Sequence, residues 1–117
     1  MSLTSVSILG QLVDLVSGVV IDDLDTEEAA PLHALLVFSS QDMAGFEPRH
    51  DRVSAVLDKL VAVNGAASNA PGLVALLRTL DDLQLWVGRE GAERPVWIIG
   101  AAEDGPRVGV RASVFLS

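Results

Sequence analysis

The chain has 117 residues, of which half are apolar, and its formal net charge is −8 at pH 7. This size and composition predict a single folded domain over residues 1–117 and argue against an intrinsically disordered chain. The negative charge argues against a nucleic-acid or anionic-membrane partner, and the absence of cysteine excludes disulfides, thiolate metal sites and cysteine nucleophiles.

The net negative charge lies in the N-terminal 48 residues. Residues 1–48 contain eight Asp or Glu and no Lys or Arg, whereas the eight acidic and eight basic residues that follow them cancel. The simpler interpretation is an acidic surface that keeps the protein soluble, and the alternative is a face for a basic partner.

The lack of cysteine also fits a reducing compartment, so we predict a cytoplasmic protein.

Residues 4–18 are predicted to form the first helix, because apolar residues recur there at helical spacing. These residues are Leu9, Leu12, Val13, Val16 and Val20. No basic residue precedes the apolar stretch, so it does not resemble a secretory signal. Asp14 would cost about 2.5–3.5 kcal/mol at the centre of a membrane span, which favours an amphipathic helix. After Gly18, residues 19–21 either end this helix or begin a strand.

The next segment combines an acidic connector with a short apolar run. Asp25 followed by Glu28 resembles a capping box, so a helical turn is predicted there. Residues 33–39 are predicted to form a strand because they include β-branched and aromatic residues, although periodicity does not separate a short buried strand from a buried helix. Residues 45–48 are typical of a turn or an edge strand.

Two further helices are predicted before the C-terminal third. Residues 49–63 carry an apolar stripe, and Asn64-Gly65 is a typical C-terminal stop. This stripe consists of Val53, Val56, Leu57, Leu60 and Val61. A second stripe predicts a helix over residues 72–81. It consists of Leu73, Leu76, Leu77 and Leu80.

The C-terminal third predicts three antiparallel strands. The first two runs cover residues 85–88 and 95–101, and Asp104-Gly105 is a strong hairpin signal before the third. Apolar residues then alternate with other residues over 107–116, which predicts one buried and one half-exposed face. The predicted fold class is therefore α+β: an antiparallel sheet with a C-terminal three-stranded meander, and helices packed on one face.

Residues suited to chemistry are few, so no catalytic, cofactor or metal site is predicted. No nucleophile elbow, phosphate-binding loop or zinc-ligand spacing occurs. His33 is interpreted as a packed histidine with a local hydrogen bond, and His50 as part of a helix start. The carboxylates of residues 22–25 are interpreted as a solvated loop, since they lack the spacing of a calcium loop.

The two tryptophans, Trp86 and Trp97, are predicted to lie on neighbouring strands. We expect them to pack in the core or against each other, and the alternative is that one of them anchors an interface, where Trp is enriched. The chain has no tyrosine and only three phenylalanines. This low aromatic content argues further against a base-stacking platform for nucleic acid.

Several stretches carry a family resemblance. They are LGQLVDLVSGV, HALLVFSSQDM and DRVSAVLDKL, followed by LQLWVGREG, RPVWIIGAAEDG and RVGVRASVF. In this order they resemble the roadblock family of dynein light chains and their bacterial relatives. The resemblance implies a small α+β domain that homodimerises and binds or regulates small Ras-like GTPases, or acts as a scaffold. The long acidic connector and the Pro71-Gly72 interruption depart from the family pattern, and the family offers no catalytic residues.

Three functions are compatible with the sequence. The favoured one is a non-catalytic interaction or regulatory module that forms a homodimer, because self-pairing of sheet edges removes an unpaired strand. A second is a small-molecule-binding domain or enzyme, whose pocket between helices and sheet would use His33, Asp42, His50 and Arg111. A third is an acidic accessory or immunity-type protein that binds a basic partner.

Overall fold

The computed structural model describes residues 4–21, 30–37, 46–48, 53–65, 67–88 and 93–115. These residues form three helices, a five-stranded antiparallel sheet and a separate two-stranded ladder. The predicted α+β class and the C-terminal meander are confirmed. The predicted capping box at Asp25 and Glu28 lies outside the described residues.

The helices and strands have the following bounds. The helices are α1 (Ser5–Leu15), α2 (Val53–Asn64) and α3 (Ala70–Leu77). The strands are β1 (Val20–Ile21), β2 (Ala30–Pro31), β3 (His33–Val37), β4 (Phe46–Pro48), β5 (Asp81–Gly88), β6 (Glu93–Ala101) and β7 (Arg107–Phe115). The five-stranded sheet has the order β3-β7-β6-β5-β4, and β1 pairs with β2.

Helix α1 buries part of the predicted stripe. Leu12 is buried and Leu9 and Val16 pack against the core, whereas Val13 is 57% exposed. Ser5 and Ile8, which are not in the predicted stripe, are buried as well. The apolar residues of this helix spread around about half of its circumference, so spacing alone does not determine which stripe is buried. The helix begins at Thr4, whose hydroxyl accepts a hydrogen bond from the N–H of Ser7 at 3.2 Å.

The sequence left open whether residues 19–21 end helix α1 or begin a strand, and the structure shows a strand there. Gly18 adopts a positive φ of 76°, and the chain leaves the helix to form β1. Side-chain hydrogen bonds then fix β1 to the end of α2. The amide of Asn64 accepts from the N–H of Val20 at 3.0 Å and donates to its carbonyl at 2.8 Å. Asn64 thus pairs with Val20 as a neighbouring strand would, which sequence reasoning did not foresee.

Helix α2 ends as predicted, and α3 differs in its bounds. Gly65 has a φ of 90° and donates its N–H to the carbonyl of Val61 at 2.8 Å, which closes α2. Helix α3 begins at Ala70, with Pro71 in its first turn where the missing N–H is tolerated. The predicted extension to residue 81 is wrong, because α3 ends at Leu77 and Asp81 begins β5.

The main core lies between the helices and one face of the sheet. Strands β5, β6 and β7 bring Leu85, Ile98 and Val110 into adjacent positions, and each is at most 1% exposed. Buried residues of all three helices belong to the same core cluster as this sheet face. They are Ile8, Leu12, Val56, Leu57, Leu60, Ala70, Leu73, Val74 and Leu77. We call the other side of the sheet the outer face.

Gly109 lies at a close approach of two strands. A Cβ built there would overlap the carbonyl oxygen of Ile98 and lie 2.8 Å from the Cα of Ile99. We therefore expect Gly109→Ala to lower the free energy of unfolding by about 1–3 kcal/mol, since the strands must separate to fit a methyl group. Urea unfolding followed by circular dichroism measures this change.

Gly10 provides the matched control. It lies on the exposed side of α1, and a Cβ there meets no atom within 4 Å. Gly10→Ala should raise the free energy of unfolding by roughly 0.5–1 kcal/mol, because alanine favours a helix interior over glycine. Equal effects of the two substitutions would show that the close contact between β6 and β7 is absent.

Candidate functional site

The outer face of the sheet brings together both tryptophans, a histidine and an arginine. Register brings Arg111 on β7 opposite His33 on β3 and opposite Trp97 on β6, and Trp97 opposite Trp86 on β5. Because alternate residues of a strand share a face, these four side chains form one row across four strands. The core-facing neighbours on β6 and β7 are Ile98 and Val110.

An aromatic and aliphatic cluster occupies much of the outer face. Ile99 is fully buried and Val37 is 4% exposed, and these two form a core cluster of their own, separate from the main one. Three partly buried residues pack against them: Leu35, Trp86 and Trp97. The ring of Phe46 lies 4.2 Å from that of Trp97, centroid to centroid, at an interplanar angle of 33°. We call these six residues the outer cluster.

Both tryptophans therefore differ in part from their prediction. They lie on neighbouring strands and directly opposite each other, in keeping with the expectation, but they belong to the outer cluster and not to the main core. The indole Nε1 of Trp86 is buried and has no hydrogen-bond acceptor within the described chain.

A polar group lies beside the outer cluster. The carboxylate of Asp82 accepts a 2.8 Å hydrogen bond from the side-chain amide of Gln84 and lies 3.8 Å from Nη2 of Arg107. Asp82 adopts a φ of 51°, which is unusual for a residue other than glycine. Nη1 of Arg107 is buried without an acceptor among the described residues. Asp82 therefore holds Arg107 by only one long contact.

Of the residues proposed for a pocket between helices and sheet, His33 and Arg111 come together as register partners, but they lie on the outer face, away from the helices. His33 is exposed on an edge strand and is not packed in the core as predicted. The error arises because an apolar run in a strand has two faces, and His33 takes the outer one. Arg111 is its exposed register partner. Asp42 and His50 lie outside the described residues.

A small cavity lies elsewhere in the described structure. It has a volume of about 150 Å³ and is lined by residues of α1, of the segment that leads from α3 into β5, and of the end of β6 with the turn that follows it. The lining residues are Ile8, Thr79, Leu80, Asp81, Ala101, Ala102 and Glu103. None of them is a histidine, and the described residues include no group of three or more His, Asp or Glu placed to hold a metal ion.

The start of α1 is tied to the turn between β6 and β7. Asp104 accepts hydrogen bonds from the backbone N–H of Ser5 at 2.8 Å and from its hydroxyl at 2.9 Å. Desolvation raises the pKa of Asp104, but the hydrogen bonds from Ser5 outweigh it and hold the pKa below its ordinary value. A carboxylate at a helix N-terminus also interacts favourably with the helix dipole.

This contact predicts a pH-dependent contribution to stability. A depressed pKa in the folded state stabilises the fold above the unfolded-state pKa, near 3.8 for aspartate, and the contribution is lost as the pH falls through the folded-state value. Asp104→Asn should therefore melt at a lower temperature than the wild type at pH 6. The difference in melting temperature should shrink as the pH falls below 4.

The control for this prediction is Glu103→Gln, which removes a charge from the same turn without touching Ser5. Thermal unfolding of the three proteins between pH 6 and pH 3, followed by circular dichroism, gives the comparison. A difference in melting temperature between wild type and Asp104→Asn that stays constant over this range would contradict a stabilising contact between the ionised carboxylate of Asp104 and Ser5.

Comparison with known proteins gives no relative to guide the assignment of a site. No protein-family model matches the sequence, and no curated protein matches it. The resemblance to the roadblock family stays a prediction. In the described segments, no helix combines the length and apolarity that crossing a membrane requires.

Sequence reasoning did not find the outer cluster as a site. Hydrophobic alternation placed Val110 inside and Arg111 outside correctly, but it also suggested that a tryptophan on a strand belongs to the core. The outer face could have been identified from the alternation of side chains along a strand. On β6, Ile98 and Trp97 are consecutive, so both cannot face the helices.

Proposed function

We propose that this protein is a non-catalytic, cytoplasmic interaction or regulatory module that acts as a homodimer. The observation that carries the proposal is the free edge of β3, which pairs with no other strand in the described structure. The outer face, where Trp86 lies opposite Trp97 and Trp97 lies opposite Arg111, supports an interaction role. Large aromatic residues and arginine are the types that dominate protein–protein interfaces. The small cavity, which has no histidine in its lining, gives no comparable support for an enzyme.

Self-association is proposed through the free edge of β3. This strand lies at one end of the sheet, paired with β7 on one side and with no other strand in the described structure. Its five residues, His33–Val37, are long enough for several backbone hydrogen bonds to a second copy. Strand β4 at the opposite edge has only three residues, which makes it the poorer template.

The geometry of a two-fold axis favours antiparallel pairing of β3 with the same strand of a second copy. Such a contact is isologous, so each copy uses the same residues and the assembly closes as a dimer. It would convert the five-stranded sheet into a continuous sheet across both copies. The roadblock resemblance implies a homodimer as well, and regulation of a Ras-like GTPase is the partner class that it suggests.

Light scattering and hydrogen exchange test this proposal together. We expect a dimer at high micromolar concentration. We also expect the edge amides of residues 33–37 to exchange more slowly at high protein concentration than at low concentration, because pairing protects them. The amides of β6 are the internal control, since that strand is paired on both sides and its exchange should not depend on concentration.

Two results would contradict the proposal. A monomer at high micromolar concentration would contradict the proposed homodimer. A dimer whose β3 amides exchange at a rate independent of concentration would place the interface elsewhere on the molecule.

A further inference from the structure

Helix α1 exposes apolar side chains on one flank. Val6 is 68% exposed and Val13 is 57% exposed, and they are two of the three large hydrophobic residues that are exposed in the described part of the chain. Leu9 and Val16 are partly buried and pack against the main core. In a helix of 3.6 residues per turn, these four residues project within roughly 80° of one another. We call them the α1 flank.

The α1 flank lies on the side of the helix that faces away from α3. Leu15 marks the α3 side, because its Cδ2 lies 3.4 Å from the position that a Cβ on Gly72 would occupy. Around the helix, the buried residues Ile8 and Leu12 separate Leu15 from the α1 flank. Helix α1 lies against β3 and β7, α2 lies against β5, and α3 contacts both of these helices. The α1 flank therefore borders the free edge of β3.

Strand β3 continues this apolar surface. Its residues Ala34 and Leu36 are partly buried and pack against the main core. Strand β3 contains no Lys, Arg, Asp or Glu, and the only such residue of α1 is Asp14, which projects away from the α1 flank. Since the net charge of −8 makes two copies repel, a surface with so few carboxylates is where that repulsion is smallest. Contiguous exposed apolar surface is typical of protein–protein contact sites.

The position of α1 over the sheet fits contact with a second copy. A helix that lies over both β3 and β7 is displaced from β3 by about half of the strand spacing, which is about 4.8 Å. Antiparallel pairing of β3 with the same strand of a second copy would therefore place the two α1 axes roughly 10 Å apart. Packed helices lie about 8–10 Å apart, so the two α1 flanks would meet across the two-fold axis.

The strand edge alone is too small for a stable dimer. The five residues of β3 extend over about 17 Å and a sheet is about 10 Å thick, so pairing through β3 covers roughly 170 Å² of each copy. A standard interface covers about 800 Å² of each partner. A stable dimer through β3 therefore requires further contact from the element beside that edge, and this element is α1.

From these observations we propose that the α1 flank binds the α1 flank of a second copy of this chain. The dimer interface then consists of a helix pair beside the two paired β3 strands. This inference rests on the homodimer of the proposed function and specifies its second contact surface. Val6 and Val13 lose their exposure to water in the helix pair, and this burial adds to the stability of the short strand pairing.

Substitution of Val13 by lysine tests the inference. Val13 is exposed, so Val13→Lys should fold, which circular dichroism checks. The added positive charge changes the net charge from −8 to −7, which by itself would weaken the repulsion between copies. An ammonium group between two α1 flanks has the opposite effect, and both copies contribute one. We therefore expect the dissociation constant of the dimer to rise by at least about tenfold, measured by light scattering over a concentration series.

Val63→Lys is the matched control. Val63 is 39% exposed and lies near the C-terminal end of α2, as Val13 does in α1, so both substitutions change the charge at the same end of a helix. Helix α2 lies against β5, which is three strand spacings, or roughly 14 Å, from β3. Val63→Lys should therefore leave the dissociation constant unchanged.

Cross-linking locates the contact. The chain has no cysteine, so a single introduced thiol can link only two copies. At a concentration where the wild type is dimeric, Val13→Cys treated with a short bis-maleimide should give a covalent dimer in high yield. Val63→Cys should give little covalent dimer under the same conditions.

The inference is overturned if Val13→Lys dimerises as tightly as the wild type, if Val63→Lys weakens the dimer equally, or if Val63→Cys cross-links as well as Val13→Cys. Its failure is distinguishable from failure of the proposed function. A wild-type dimer that is protected at β3 but is insensitive to Val13→Lys would support the homodimer and contradict only the helix contact. A wild-type monomer at high micromolar concentration would contradict both.

Discussion

Three helices lie on one side of a five-stranded sheet. One face of the sheet therefore belongs to the main core, and the other face points away from the helices. Ile98 and Val110 face the helices and are essentially excluded from water. Because side chains alternate along a strand, the residues next to them on each strand must face the other way. The sequence places Trp97, Ile99 and Arg111 at those positions, so the same strands that build the core also build the outer face.

Hydrogen bonds between distant parts of the chain hold the helices in place on the sheet. Ser5 and Asp104 are 99 positions apart, and their two hydrogen bonds attach the start of α1 to the β6–β7 turn. Asn64 and Val20 are 44 positions apart and join the end of α2 to β1. Each contact anchors one end of its helix, the start of α1 and the end of α2. A sheet that is fixed in this way presents its outer side chains in a constant arrangement, which a binding face requires.

Local patterns predicted much of this fold. The meander followed from alternation over residues 107–116 and from the turn signal at Asp104-Gly105, and the end of α2 followed from Asn64-Gly65. These patterns involve residues that are close together in the chain, so they can be recognised in a single sequence. The predicted α+β class depended on the same signals and is confirmed.

What the sequence did not reveal depends on contacts between distant residues. The buried stripe of α1 includes Ser5, which is buried because Asp104 binds it, and no local pattern contains that information. The pairing of β3 with β7 and of β4 with β5 sets the sheet order, and nothing in the short strands specifies it. The outer face was missed for a related reason: hydrophobicity suggests that a tryptophan is buried, but the register determines which face it joins.

The central claim is that consecutive residues of one strand face a sealed core and an available surface, and two substitutions on β7 test it directly. Val110→Asp would place a carboxylate in the main core, at a cost of several kcal/mol, which is comparable to the whole stability of a small domain. Urea unfolding should show that Val110→Asp does not fold, whereas Arg111→Asp should stay within about 1 kcal/mol of the wild type. Two variants of equal stability would contradict the account.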